Sequence, residues 1–274
     1  MNIELFMHKT IAIIGGGNLG LSMAEGLLNS GFVSPDRLTV TRRNIEALQS
    51  LSERGVTITS DNTAAVSSAD FIILAVKPFQ VAELLAQLRS VLDPHRQVLI
   101  SVVTGVWISE IREILGSDMP IPLFRAMPNT AIAIQESMTC ICSSAATTSQ
   151  CDFVTDLFQQ LGKTVTIEEK LMDAATVLGA CGTAFAMRYI RANIQGGIEI
   201  GFSAATASLI AAQTVKGAAQ LLLTKKTHPE QEIDKVTTPK GCTIAGLNEM
   251  EHRGFSSSLI KGVVTSYRKI QDDM

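Results

Sequence analysis

Near the C-terminal end, Thr237-Thr238-Pro239-Lys240-Gly241-Cys242-Thr243 combines hydroxyls, a turn and the start of a helical pattern. Backbone N–H groups of Gly241, Cys242 and Thr243 at a helix N-terminus can hold a small carboxylate, and the Thr238 and Thr243 hydroxyls can donate or accept hydrogen bonds. A plain helix cap by Thr243 accounts for much of the same sequence, and both readings stand. A second group lies near the start of the chain, where Thr10 to Ile14 leads into Gly15-Gly16-Gly17-Asn18-Leu19-Gly20 and a helical segment from about Leu21 to Asn29. This is G-x-G-x-x-G between a strand and a helix. Gly15 permits the tight turn, Gly17 lets backbone approach a pyrophosphate, and Gly20 lets helix and strand pack. A dinucleotide site is expected, with a purely structural tight turn as the bland alternative.

The end of the second strand narrows the cofactor. About 20 residues past such a turn an acidic residue would bind a ribose 2′-hydroxyl, yet Thr41-Arg42-Arg43-Asn44 stands there. Two guanidinium groups suit a 2′-phosphate. One charged hydrogen bond of about 1.5–3 kcal/mol favours NADP over NAD by roughly one to two orders of magnitude. A solvated arginine pair is the alternative. Lys77-Pro78 ends a buried strand on the side where open α/β sheets bind ligands, so Lys77 either meets cofactor or substrate or is solvated in a loop.

These groups need elements to position them. The first half alternates strand and helix patterns: strands at 10–14, 38–41, 57–59, 71–76 and 97–103, helices at 45–53, 81–92 and 108–115. Parallel β/α winding follows. The runs at 71–76 and 97–103 are continuously apolar and belong in the sheet centre. Strands at 122–125, 138–142 and 164–167 and a helix at 151–161 close this part near Glu168. Beyond it, segments 174–200, 204–225, 229–236, 244–252 and 256–271 all read as helical, with Thr227 to Glu230 spaced as a capping box. The fold class is therefore α/β then all-α: a Rossmann-like NAD(P)-binding domain over 1–168, then an α-helical domain over 169–274.

The chain has 274 residues, 46% hydrophobic and 18% charged, with a net charge of −3. That supports one large or two ordinary domains and gives no basic field for nucleic acid or anionic membrane. Segment 204–223 is apolar, but Gln213, Lys216 and Gln220 interrupt it, so packing against other helices, including those of a second copy, is expected rather than membrane insertion. The N-terminus shows no secretory pattern, and five cysteines without C-x-x-C spacing fit reduced thiols, giving the expectation of a cytoplasmic protein. The four histidines are isolated, and no metal site is expected.

The glycine turn, L-A-V-K-P at 74–78, M-P-N-T at 127–130, D-A-A-T at 173–176 and G-C-T-I-A-G-L at 241–247 occur in the order that resembles pyrroline-5-carboxylate reductases over nearly the whole chain. The resemblance implies NAD(P)H-dependent reduction of 1-pyrroline-5-carboxylate to L-proline. It assigns Gly15, Gly17, Asn18, Leu19 and Gly20 to the pyrophosphate, Arg42 and Arg43 to the 2′-phosphate and Asn62 to the adenine ribose. Ala75, Lys77 and Pro78 would lie beside the cofactor, and Met127, Pro128 and Asn129 would border the nicotinamide. Gly241, Cys242 and Thr243 would bind the cyclic imine carboxylate, with Thr243 and Thr238 as the catalytic hydroxyls. Hydride would pass to the imine carbon from NADPH, with NADH possible. No strong side-chain acid is evident for the imine nitrogen, which leaves water or a protonated substrate as the proton source. The resemblance also implies a homodimer through the helical domain, sometimes assembled further.

Departures cluster at the expected pocket. Gly179-Ala180-Cys181-Gly182-Thr183 stands where the family usually reads S-G-S-G-P; Ala131 replaces proline; Gln135, Ser137 and Lys240 replace glycines. Lys240 can contact the carboxylate, point into solvent or demand a changed backbone. Two rival functions remain open: a reductase of a different cyclic imine or small carboxylate, and a non-catalytic NADP-binding dimer.

Overall fold

The computed structural model describes residues 8–272; the stretch read above for a leader, Met1 to Met7, and the last two residues lie outside it. Two compact units are present, the first running to Ala180 and taking in the chain again from Ile270, the second spanning Cys181–Lys269.

The first unit is built on eight strands: β1 Ile11–Ile14, β2 Leu38–Thr41, β3 Thr57–Thr59, β4 Phe71–Leu74, β5 Val98–Ser101, β6 Leu123–Met127, β7 Ser137–Ser144 and β8 Gly162–Thr166. They form one sheet in the order β3-β2-β1-β4-β5-β6-β7-β8. All neighbours are parallel except β6 and β7, which pair antiparallel with Arg125 opposite Cys142 and Met127 opposite Cys140. Strand order reverses between β1 and β4, so the loops leaving these two strands diverge and open a crevice.

Side-chain alternation explains why the strands read as unbroken apolar runs. Ile11, Ile13, Phe71, Ile73, Val98 and Ile100 enter one buried cluster; Ala12, Ile14, Ile72, Leu74 and Leu99 enter the other. Helices α1 Asn18–Asn29 and, after β7, α6 Thr148–Gln159 supply the first cluster. The second takes residues from α3 Asn62–Ser68, α4 Val81–Leu88 and α5 Ile108–Leu115. Both faces are thereby covered, as a parallel sheet requires.

Several boundaries differ from the sequence expectations for local reasons. Helix α1 begins at Asn18, inside the glycine motif, because Gly17 is already its N-cap. The segment expected as one helix over 45–53 starts as a 3₁₀ turn, Ile45–Leu48, before the short α2 Gln49–Ser52. Helix α3 escaped the sequence reading; Asp61, whose Oδ1 accepts from Ala64 N–H at 3.0 Å, is the cap that marks it. After β8 the chain does not leave the first unit at Glu168. It makes a 3₁₀ turn, α7 Met172–Ala175 and a π-helical stretch, Thr176–Cys181. Met172 is fully buried in the second apolar cluster, which holds this segment to the sheet.

The second unit contains α8 Gly182–Glu199, α9 Ala204–Lys225, α10 Pro229–Lys235, α11 Cys242–His252 and, as far as Lys269, α12 Phe255–Asp272. Helices α8 and α9 pack closely, with Gly197 leaving room for Ala207: a Cβ there would lie 3.0 Å from the Ala207 Cβ. The cap of α10 is His228 rather than Thr227, since Pro229 occupies the first helical position. His228 Nδ1 accepts from Glu230 N–H, and the Thr227 hydroxyl donates instead to Glu232. Among the described residues no helix is long and apolar enough to cross a membrane.

Candidate active site

The glycine turn leaves β1 at the point where strand order reverses. Gly15 has φ 112°, and a Cβ on it would lie 2.5 Å from the Ala75 carbonyl oxygen after β4. The two loops therefore meet backbone to backbone, which brings Gly15 and Ala75 together. A Cβ on Gly20 would collide with the Gly15 carbonyl, so only glycine lets α1 start this close to the strand. Around Gly17, by contrast, a Cβ would meet nothing within 4 Å, and Gly17 and Asn18 are exposed. No side chain caps α1. Its first N–H groups, at Asn18, Leu19 and Gly20, lack intrahelical partners beside the open space at Gly17, a cradle that fits a pyrophosphate.

Arg42 and Arg43 follow β2 but differ in setting. Arg42 Nη1 donates to the Gly16 carbonyl at 2.9 Å, so this guanidinium braces the glycine turn. Arg43 is exposed and makes no hydrogen bond or ion pair among the described residues. Asn62 is the first residue of α3, just past β3. Lys77 is exposed at the end of the loop from β4, and Pro78 begins a 3₁₀ turn there.

Met127 ends β6, and with Pro128 it is buried. Asn129 N–H donates to Ser137 Oγ at 3.0 Å, its Oδ1 accepts from Ala131 N–H, and its Nδ2 donates to the Gly179 carbonyl at 3.2 Å. Ser137 thus fixes the turn with a hydroxyl that a glycine could not supply.

Sequence reasoning missed a buried charge cluster beside this turn. Arg125, 1% exposed, pairs through Nη1 with Glu169 Oε1 at 3.1 Å and lies over the Trp107 ring. Burial pushes the Asp173 carboxyl up, Arg125 opposes, and Glu169 adds to the rise. The Cys142 thiol is pushed up to about 11, first by burial and then by Glu169. The one available signal was an arginine inside the apolar run P-L-F-R-A-M.

In the second unit, Gly241 N–H donates to the Thr238 carbonyl at 2.9 Å, closing a turn with Pro239 second and Lys240 third. Lys240 has φ 60°, the left-handed value such a turn needs at that position. Gly241, not Thr243, is the N-cap of α11, which corrects the plain-cap reading: Thr243 is the second helical residue. A Cβ on Gly241 would lie 2.5 Å from Thr238 Oγ1, so a larger residue there would displace the Thr238 hydroxyl. The Thr238 and Thr243 hydroxyls make no hydrogen bond among the described residues, and Cys242 is exposed.

Known proteins share this organisation. Residues 169–273 match the family model described as pyrroline-5-carboxylate reductase dimerisation, and 10–105 match that described as NADP oxidoreductase coenzyme F420-dependent. Pyrroline-5-carboxylate reductase 2 of Dictyostelium discoideum is 45% identical over 280 residues, covering 97% of this chain and 93% of that one. The chain belongs to the pyrroline-5-carboxylate reductase family. A solved pyrroline-5-carboxylate reductase from Coxiella burnetii matches 96% of this chain and 98% of its own with a TM-score of 0.89 at 26% identity. The Plasmodium falciparum pyrroline carboxylate reductase, solved with NADP bound, shares the fold with a TM-score of 0.86 at 24% identity over 97% of this chain and 98% of its own.

Within that family the departures become intelligible. Gln135, at φ 59°, and Lys240, at φ 60°, both take the left-handed backbone for which glycine is the easy choice.

Proposed function

We propose that this protein reduces 1-pyrroline-5-carboxylate to L-proline with NADPH, NADH being a poorer donor, and works as a homodimer in the cytoplasm. The observation that carries the reading is the 45% identity to a pyrroline-5-carboxylate reductase across nearly the full length of both chains. Five free cysteines accord with a reducing compartment.

NADPH held at the glycine turn supplies the hydride. The α1 N-terminus takes the pyrophosphate, Arg43 with Arg42 takes the 2′-phosphate, and Asn62 takes the adenine ribose. Ala75, Lys77 and Pro78 wall the crevice, and Met127, Pro128 and Asn129 border the nicotinamide. The N–H groups of Gly241, Cys242 and Thr243 receive the substrate carboxylate, while Thr243, with Thr238, hydrogen-bonds the imine nitrogen that gains a proton. Catalysis rests on orientation and water exclusion.

The test is NADPH oxidation by purified protein with 1-pyrroline-5-carboxylate, beside NADH and other cyclic imines. Turnover with NADPH preferred is expected. NADPH binding without consumption of any imine would leave only the non-catalytic binder.

A further inference from the structure

Arg125 is the one charged residue in β6, a strand whose five residues are all buried. Its Nη1 is paired, but Nε and Nη2, the edge with two parallel donors, have no partner, and neither does Asp173 Oδ1. Unpaired donors and an unpaired acceptor therefore sit buried in one cluster, close enough for Arg125 to act on the Asp173 carboxyl. Glu169 Oε1 also accepts from Ile108 N–H at 2.7 Å, tying the same carboxylate to the start of α5.

A buried ion pair of this kind is a poor way to gain stability, since apolar side chains of similar volume often do as well or better. Its value is a fixed direction. Arg125 and Met127 stand two residues apart on one face of β6, and Met127 shares an apolar cluster with Cys142 and Met172. The segment from Glu169 to Gly179 is fastened to β6 and its turn at both ends: Glu169 to Arg125, and the Gly179 carbonyl to Asn129. We propose that Arg125, braced by Glu169, is a positioning residue that sets the Met127–Asn129 turn against the nicotinamide. It rests on the reading of that turn as the nicotinamide border.

Arg125→Lys keeps the charge and loses the fork; Glu169→Gln keeps the shape and loses the charge. Each is compared with the unmodified protein in NADPH affinity by fluorescence titration, in melting temperature, and in single-turnover NADPH oxidation at saturating 1-pyrroline-5-carboxylate. Both variants should bind NADPH within about twofold of the unmodified protein while hydride transfer slows by about tenfold to a hundredfold, the cost of a turn displaced by a fraction of an ångström to an ångström. An unchanged hydride rate in folded variants overturns the proposal, as does a loss that merely follows NADPH affinity or the folded fraction. If Arg125→Lys does not fold, Glu169→Gln decides by the same readouts. Inactivity of the unmodified protein with NADPH bound overturns the reading of the turn itself, and this proposal with it.

Discussion

Arg42 and Arg43 are neighbours in sequence with different duties, and the difference can be measured. Arg42 holds the Gly16 carbonyl, so Arg42→Ala removes a phosphate contact and loosens the turn that every dinucleotide needs. Arg43 has no partner to lose. We expect Arg43→Ala to weaken NADPH by about tenfold, one charged hydrogen bond, and to leave NADH untouched. Arg42→Ala should weaken both cofactors; steady-state KM values for each distinguish the cases. Asp173 gives a second test at this scale. Its carboxyl is raised by burial, so folding favours the protonated form relative to the unfolded chain. The stabilisation it contributes is present below the ordinary carboxylate pKa and is lost as pH rises through the raised folded value. Asp173→Asn should therefore gain in melting temperature relative to the unmodified protein as pH goes from about 3.5 to 7. A gap that is flat or shrinks over that range would refute the sign.

Elements were legible wherever one physical signal dominated. The alternating burial of β1, β4 and β5 shows why their runs lacked polar breaks, and α9 emerged with the expected bounds because its long Ala-rich stretch carries no breaker except Gly217. Short elements held by tertiary contact were not legible: α3 has seven residues and relies on Asp61, and the 3₁₀ and π segments depend on packing rather than periodicity. The glycine turn was readable because its residues are required sterically, whereas the Arg125–Glu169 pair joins positions 44 apart and left no local trace. The turn before α11 lies between these cases. Its motif was visible, but the left-handed backbone at Lys240 was not. A non-glycine residue there costs about 1–2 kcal/mol, partly offset because glycine adds about 0.4–1 kcal/mol of unfolded-chain entropy. Lys240→Gly should then stabilise the fold by roughly 0.5 kcal/mol. With Lys240 exposed and unpartnered, KM for the imine should stay unchanged; a rise would instead place the ammonium on the substrate carboxylate.

At the scale of the molecule, the helical unit is the part that a single chain does not complete. Among its described residues only Ala207 and Ala211 are buried, while Leu209 is 71% exposed, Leu223 68%, Ile200 77% and Ile260 62%. Soluble chains seldom leave so many large apolar side chains uncovered, and each is worth about 1.5–3 kcal/mol when fully buried. Residues 169–273 match a dimerisation model, and a second copy is the occupant these faces fit. Covering them couples folding to association, so the melting temperature should rise with protein concentration. Leu223→Glu places a charge in the apolar face of α9 and should convert the dimer to monomer in light scattering at micromolar concentration. The glycine turn lies in the first unit, whose core contains no α9 residue. NADPH binding should therefore survive in that monomer, with fluorescence titration as the check. Loss of both dimer and NADPH affinity would mean that the dinucleotide unit depends on the helical unit for its own fold.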